Sequence, residues 1–368
     1  MAGSDFGKIF KTTTWGESHG AGIGAVVDGC PAGLPLEPAD IQAYLDRRKP
    51  GQSRYTTARS ESDQVEILSG VFDGVTTGTP ISMLVRNHDQ HSKDYSALKD
   101  LYRPGHADFG YEMKYGVRDY RGGGRSSGRE TIGRVAGGAV AAKLLAALGI
   151  SVTAYTKSIG PVTAEEFDER EIRRNPLCMP DAAAAKAAAA YLETCMAAQD
   201  SAGGIIECVV RGMPAGAGDP VFEKLDANLA KAVMSVGAVK GVEIGDGFAA
   251  AASVGSANND AFVPDAEGTV DKITKATNHS GGILGGISDG SDIILRAAIK
   301  PTPSIARGQR TVNRDGSAVD LSITGRHDPV IVPRAVVVVE CMAALVIADA
   351  LLAGMSARLD SVKAVWKR

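Results

Sequence analysis

Short apolar runs alternating with longer amphipathic stretches predict a fold of mixed α and β structure for this chain of 368 residues. Three observations support that expectation. Strand-like runs stand at 22–27, 81–85, 205–210 and 293–298, rich in Val and Ile and bounded by Gly, Pro or Asp. Helical stretches stand between them at 38–48, 131–148 and 181–199. No repeat of fixed period and no long Pro- or Ser-rich linker divides the chain, so a single domain over 1–368 is expected.

Each helix carries its own boundary signals. In 38–48, Pro38 is a first-turn residue whose missing N–H costs nothing there, and Arg47, Arg48 and Lys49 gather at the negative end of the dipole. Gly149 closes 131–148 as a C-terminal cap. Asp181 is placed to cap the helix built on the alanine block Ala182–Ala190. The charged, turn-rich stretch 168–181 reads as an exposed surface loop. The run 335–352 is apolar enough to approach a membrane span, but Glu340 and Asp349 interrupt it. Two carboxylates inside lipid are expensive, so an interior helix that turns both toward polar partners is expected, with no membrane partner.

Composition narrows the function classes. With 40 basic against 43 acidic residues the chain lacks the broad positive field of a general nucleic-acid binder, so any anion site must be local. The five cysteines are scattered without a C-x-x-C pair, which suits a reducing cytoplasm and offers neither a zinc site nor a redox dithiol. The start, with Gly3, Ser4 and Asp5, shows no secretory pattern, and a cytoplasmic location is expected. Glycine, at 44 residues, is abundant enough for many tight turns and close approaches of backbone to ligand.

The chemistry concentrates in a few loops. Gly16-Glu17-Ser18-His19-Gly20 places an imidazole on a glycine-flanked turn just before a strand. Arg103-Pro104-Gly105-His106-Ala107-Asp108 repeats that logic, with an arginine able to hold a phosphate that the histidine protonates as it leaves. Both turns are also compatible with ordinary local hydrogen bonding. The strongest signal is Arg121-Gly122-Gly123-Gly124-Arg125-Ser126-Ser127-Gly128-Arg129-Glu130-Thr131, which runs into a helix. Its glycines let backbone approach an anion, Ser126 and Ser127 add hydroxyls and amides, and the helix N-terminus adds a favourable dipole. The loop is neither a Walker sequence nor a dinucleotide fingerprint. RNA contact through Arg121–Arg129, or another phosphate-binding transferase, remains as an alternative at this point.

Arginines also cluster at Arg47, Arg48, Arg54 and Arg59; Arg47 and Lys49 read as a solvated helix end, while Arg48 and Arg54 rank as candidates for anion contact. In the C-terminal third, Asn278 to Ser288, Lys300-Pro301-Thr302-Pro303-Ser304 and Gly325-Arg326-His327-Asp328-Pro329 are small-residue loops suited to a flat ring and a phosphate tail. His88 and His91 have a spacing that would suit a metal on a helix, but the polar residues around them read as a surface loop, and no metal is expected.

Taken together and in order, these motifs resemble chorismate synthase along almost the whole chain. The resemblance implies an α+β sandwich with helices between antiparallel sheets, assembled as a homotetramer. It implies a 1,4-anti elimination of phosphate from 5-enolpyruvylshikimate 3-phosphate, giving chorismate with reduced FMN and no net redox change. Carried over by position, His106 resembles the histidine beside the departing phosphate, His19 the one handling a proton on reduced flavin, and Asp328 the acid near flavin N5. For FMN the resemblance points to Arg125, Ser126, Ser127, Gly237, Ala238, Gly285, Lys300, Pro301, Thr302, Pro303, Ser304 and Arg326. A substrate with two carboxylates and a phosphate calls for several arginines, and Arg48, Arg54, Arg129, Arg134 and Arg334 are available for it or for NADP. Gly237 stands where many relatives carry Asn, and Pro303 where others carry Ser, so two side-chain contacts to flavin would be missing. Some family members reduce flavin themselves with NADPH; with no separate reductase domain in view, an external flavin reductase is the expected source here.

Overall fold

The computed structural model describes residues 3–56, 62–87, 99–121, 123–265, 273–323 and 328–367. Helices are labelled α1 Pro38–Arg48, α2 Asp108–Tyr115, α3 Thr131–Ala147, α4 Ala182–Ala197, α5 Leu225–Met234, α6 Gly255–Asn258, α7 Val332–Gly354 and α8 Leu359–Trp366.

Two antiparallel sheets form the outer layers. In the first, Gly22–Asp28 lies between Lys11–Gly16 and Ile81–Arg86, with Asp5–Phe6 and Val65–Ile67 at the edges. The second runs Val239–Ile244, Ile293–Ile299, Gly204–Arg211, Ser151–Ile159, Val162–Thr163. Strand patterns explain the layering: Ile81, Met83 and Val85 are buried on alternate positions, as are Ile293, Leu295 and Ala297.

Helices fill the space between. α3 packs on the first sheet, α7 on the second, and the two helices pack on each other. That crossing depends on glycine: a Cβ at Gly138 would stand 2.2 Å from the Cβ of Cys341. The fold class is therefore α+β, with helices sandwiched between antiparallel sheets.

α7 resolves the question its composition raised. Among the described residues it is the one helix long and apolar enough to cross a membrane, yet 78% of its apolar window is buried inside the protein. Glu340 accepts from Arg47 at 2.6 and 2.8 Å and from the Ala154 N–H at 3.1 Å. Asp349 accepts the backbone N–H groups of Lys8, Ile9 and Phe10. Both carboxylates thus found the polar partners expected of them, and Arg47 is corrected from a solvated helix end to an ion-pair partner of the core helix.

Element boundaries agree closely with the sequence reading: α1 matches 38–48, α3 ends one residue earlier at Ala147 with Gly149 at φ +76°, and Asp181 caps α4 by accepting from Ala183 and Ala184. The reading of 168–181 as an exposed loop needs correction. Ile172, Leu177 and Met179 are buried, Ile172 against Tyr155 and Val209 of the second sheet, so the segment covers apolar surface rather than projecting from it.

Candidate active site

Two groups of candidate residues form, and short links tie them together. The first surrounds Asp63, a buried carboxylate at φ +46°. Arg48, buried at the end of α1, donates to one oxygen of Asp63, and Arg129 lies 3.2 Å from the other. Burial pushes the Arg48 guanidinium down to about 10, with Arg334 and Arg129 adding to the shift and Asp63 opposing it. Burial also works against the Asp63 charge, but Arg48 and Arg129 hold that carboxyl below its ordinary value. Arg334 donates to the carbonyl of Arg48 at 3.2 Å and pairs with Asp328 at 2.6 Å. Three arginines thus gather around two carboxylates, Asp63 and Asp328, an arrangement suited to an anionic substrate.

The His19 turn joins this group through Asn87. The Asn87 amide donates to the carbonyls of Glu17 and Gly20, and its oxygen accepts from Arg129 at 2.8 Å. Arg125 fastens the glycine-rich loop to the same strand, donating to Thr14 Oγ1 at 2.7 Å and to the Gly16 carbonyl at 3.3 Å. Ser126 donates to the Gly123 carbonyl, and Ser127 accepts from the Arg129 N–H, so both hydroxyls shape the turn before α3.

The second group surrounds His106. Its Nδ1 lies 2.9 Å from the Pro104 carbonyl and its Nε2 lies 3.0 Å from Ser304 Oγ. Lys300 Nζ donates to the Gly105 carbonyl, and Lys300 N–H donates to the carbonyl of Ala238, itself at φ +73°. Asp108 anchors the loop from below, accepting three bonds from Arg103 and pairing with Arg118. Burial, reinforced by the Arg103 charge, pushes the His106 imidazole down to about 4 from its ordinary 6.5, so it is neutral at pH 7.

The groups meet at two places. Ser201 donates to the Thr302 carbonyl while its neighbour Ala202 donates to the Pro329 carbonyl, setting the Lys300–Ser304 loop beside Asp328. Arg134, on the first turn of α3, donates to Ser235 just before Gly237 and is also paired with Glu130. Arg134 therefore acts here as a strut between the groups. Arg54 is exposed and pairs with Glu193 of α4 and with the Tyr55 hydroxyl. Gly285 lies in a tight hairpin turn beside Gly286, whose carbonyl accepts from the N–H of Leu225 at the start of α5. Gly237 and Ala238 follow the other end of that helix, whose 10 residues span about 15 Å. Arg326, His88 and His91 lie outside the described residues.

Sequence reasoning missed Asp63 and Asn87. Asp63 stands in a polar run with no motif, and only the fold reveals that it unites arginines from α1 and from the loop before α3. Asn87 follows a strand as an ordinary loop residue.

A family model for chorismate synthase matches residues 10–352. The chain belongs to the chorismate synthase family. Chorismate synthase from Agathobacter rectalis is 64% identical over 100% of both chains, and that from Lachnoclostridium phytofermentans is 62% identical over the same share. A crystal structure of chorismate synthase, 31% identical, superposes with a TM-score of 0.77 and covers 98% of this chain and 97% of its own. Membership of the chorismate synthase family makes the chain an enzyme of the lyase class, with its motif residues set in the sandwich just described.

Proposed function

We propose that this protein eliminates phosphate from 5-enolpyruvylshikimate 3-phosphate in the 1,4-anti sense, giving chorismate with reduced FMN and no net redox change, as a single domain over 1–368. The observation that supports this most is the convergence of Arg48, Arg129 and Arg334 around Asp63 and Asp328, linked through Ser201 and Ala202 to a loop that holds a neutral histidine. A substrate with two carboxylates and a phosphate gains charge-assisted bonds from such a set.

The residues present fit a flavin phosphate and ring. Thr302 Oγ1 is buried without a hydrogen-bond partner among the described residues, and a Cβ at Gly237 or Gly285 would meet open space. Lys300, Pro301, Thr302, Pro303 and Ser304, with Ala238, Arg125, Ser126, Ser127 and Arg326, are the proposed holders. Reduced FMN supplies, when bound, the electron density that expels phosphate and a site for the departing ring proton.

His106 contributes the acid at the leaving phosphate. With its single proton held on Nδ1 by the Pro104 carbonyl, the neutral imidazole has none to donate from Nε2, so it first takes a proton from solvent, which the arriving negative charge favours. His19, on a turn fixed by Asn87, handles the proton near the flavin. Asp328 is the acid near flavin N5, and its pairing with Arg334 at 2.6 Å orients it. Replacing His106 by Ala is expected to leave flavin and substrate binding intact while turnover falls about 10²- to 10⁴-fold. Turnover within a few-fold of the parent, measured anaerobically with reduced FMN, would remove His106 from this role.

The same reading extends to a cytoplasmic homotetramer that receives reduced flavin from an external reductase, with NADPH as the alternative reductant; family membership is its support.

A further inference from the structure

Asn87 stands outside the loops that carry the chemistry, yet both polar groups of its side chain are bonded to them. It follows the strand Ile81–Arg86, and its N–H donates to the Ala21 carbonyl at 3.2 Å, extending by one residue the pairing of Arg86 with Gly22. That step brings its amide beside the turn Glu17–Gly20, which the Gly20 N–H closes on the Glu17 carbonyl at 3.1 Å, with Ser18 and His19 between. Nδ2 donates to the carbonyls at both ends of the turn, Glu17 at 3.0 Å and Gly20 at 2.9 Å. Oδ1 accepts from Arg129 at 2.8 Å. Only one orientation of the amide satisfies all three groups, because a carbonyl only accepts and a guanidinium only donates.

The turn has little stiffness of its own. Gly16, at φ +90°, and Gly20 flank it and leave its backbone wide freedom. Arg125 holds the entry by donating to the Gly16 carbonyl at 3.3 Å, and Asn87 holds the two carbonyls beyond it. The Arg129 charge polarises the Asn87 amide and strengthens both of its donations. Arg129 is also held from another direction, by Asp63 at 3.2 Å, so it keeps an anchor that does not depend on Asn87.

We propose that Asn87 is a positioning residue for the reaction: it sets the His19 turn in register with Arg129, so that the histidine meets the substrate the arginine group binds. Asn87 moves no proton itself and acts through His19. The proposal rests on the readings of His19 as a proton-handling group and of Arg129 as an anion contact, and deepens them by naming the side chain that joins the two. A displacement of about 1 Å is enough to cost about a hundred-fold in rate, so loss of this link is expected in turnover rather than in binding.

The test uses the full-length protein and the variants Asn87→Ala, Asn87→Asp, His19→Ala and the double variant of Asn87→Ala with His19→Ala. Asn87→Asp keeps the shape and the acceptor for Arg129 but turns a carboxylate oxygen toward two carbonyls, so it isolates the bonds to the turn and serves should Asn87→Ala fail to fold. Turnover is followed anaerobically with saturating reduced FMN and varied 5-enolpyruvylshikimate 3-phosphate. Both Asn87 variants are expected to lose about ten- to a hundred-fold in kcat with little change in KM. His19→Ala is expected to lose about 10²- to 10⁴-fold, and the double variant to be no slower than His19→Ala alone.

Parent turnover in Asn87→Asp, a loss that lies wholly in KM, or a double variant slower than His19→Ala by the full factor of Asn87→Ala would overturn the proposal; the last result makes Asn87 a support of the fold that acts independently of His19. If His19→Ala keeps the parent rate, the reading of His19 fails and the proposal falls with it. If His19→Ala is slow while Asn87→Ala is not, only the positioning by Asn87 fails.

Discussion

At the scale of single residues, burial decides what each charge is able to do. Burial holds the His106 imidazole well below its ordinary range, so folding disfavours its protonated form. The sign follows from proton counting. Between pH 6.5 and about 4 the unfolded chain binds a proton at this residue that the folded chain does not, so its contribution to stability is whole above 6.5 and is lost as pH falls toward about 4. Urea unfolding at pH 7 and pH 5 should therefore show a larger acid loss in the parent than in His106→Gln. Asp63 is the opposite case, a carboxylate kept ionised by Arg48 and Arg129. Asp63→Ala leaves Arg48 buried without its counter-charge and is expected to destabilise the fold by about 3–5 kcal/mol, read from the denaturation midpoint at unchanged slope. His106 and His19 were legible in the sequence because each is flanked by turn residues; Asp63 was not, since its role depends on two arginines distant in sequence.

At the scale of elements, α3 ties the molecule together. It reaches α7 through Gly138, whose added Cβ would also stand 2.7 Å from the Cys341 Cα and carbonyl oxygen. Because backbone as well as side chain blocks the way, Gly138→Ala is expected to cost about 1–3 kcal/mol despite alanine's higher helix propensity, measurable by chemical denaturation. A solvent-exposed helix position would show the reverse sign. The cap of α4 offers a milder test. Asp181→Ala removes bonds to the Ala183 and Ala184 N–H groups and should cost about 1 kcal/mol. These helices were readable because capping and periodicity are local signals. The covering segment 168–181 misled because its charged residues outnumber the three apolar ones, Ile172, Leu177 and Met179, that face the protein.

At the scale of the whole molecule, the arrangement of layers brings motifs from the whole chain to one region. The strand before the His19 turn, the loop before α3, the Lys300–Ser304 loop and the start of α7 meet through Arg125, Arg134, Ser201 and Arg334. Periodicity alone gave a mixture of strands and helices; which strands pair depends on contacts between residues as far apart as Gly204 and Ile299, and the stacking of α3 on α7 between two sheets on residues as far apart as Gly138 and Cys341. The motif order carried that information only through resemblance to a family. The central claim is that this assembly expels phosphate from a substrate with three anionic groups without net oxidation. The most direct measurement is to mix the protein anaerobically with reduced FMN and 5-enolpyruvylshikimate 3-phosphate and to follow chorismate absorbance and phosphate release together. Equal amounts of both products, with the flavin still reduced at the end, are the predicted result; folded protein that binds both ligands and releases neither product would contradict the account.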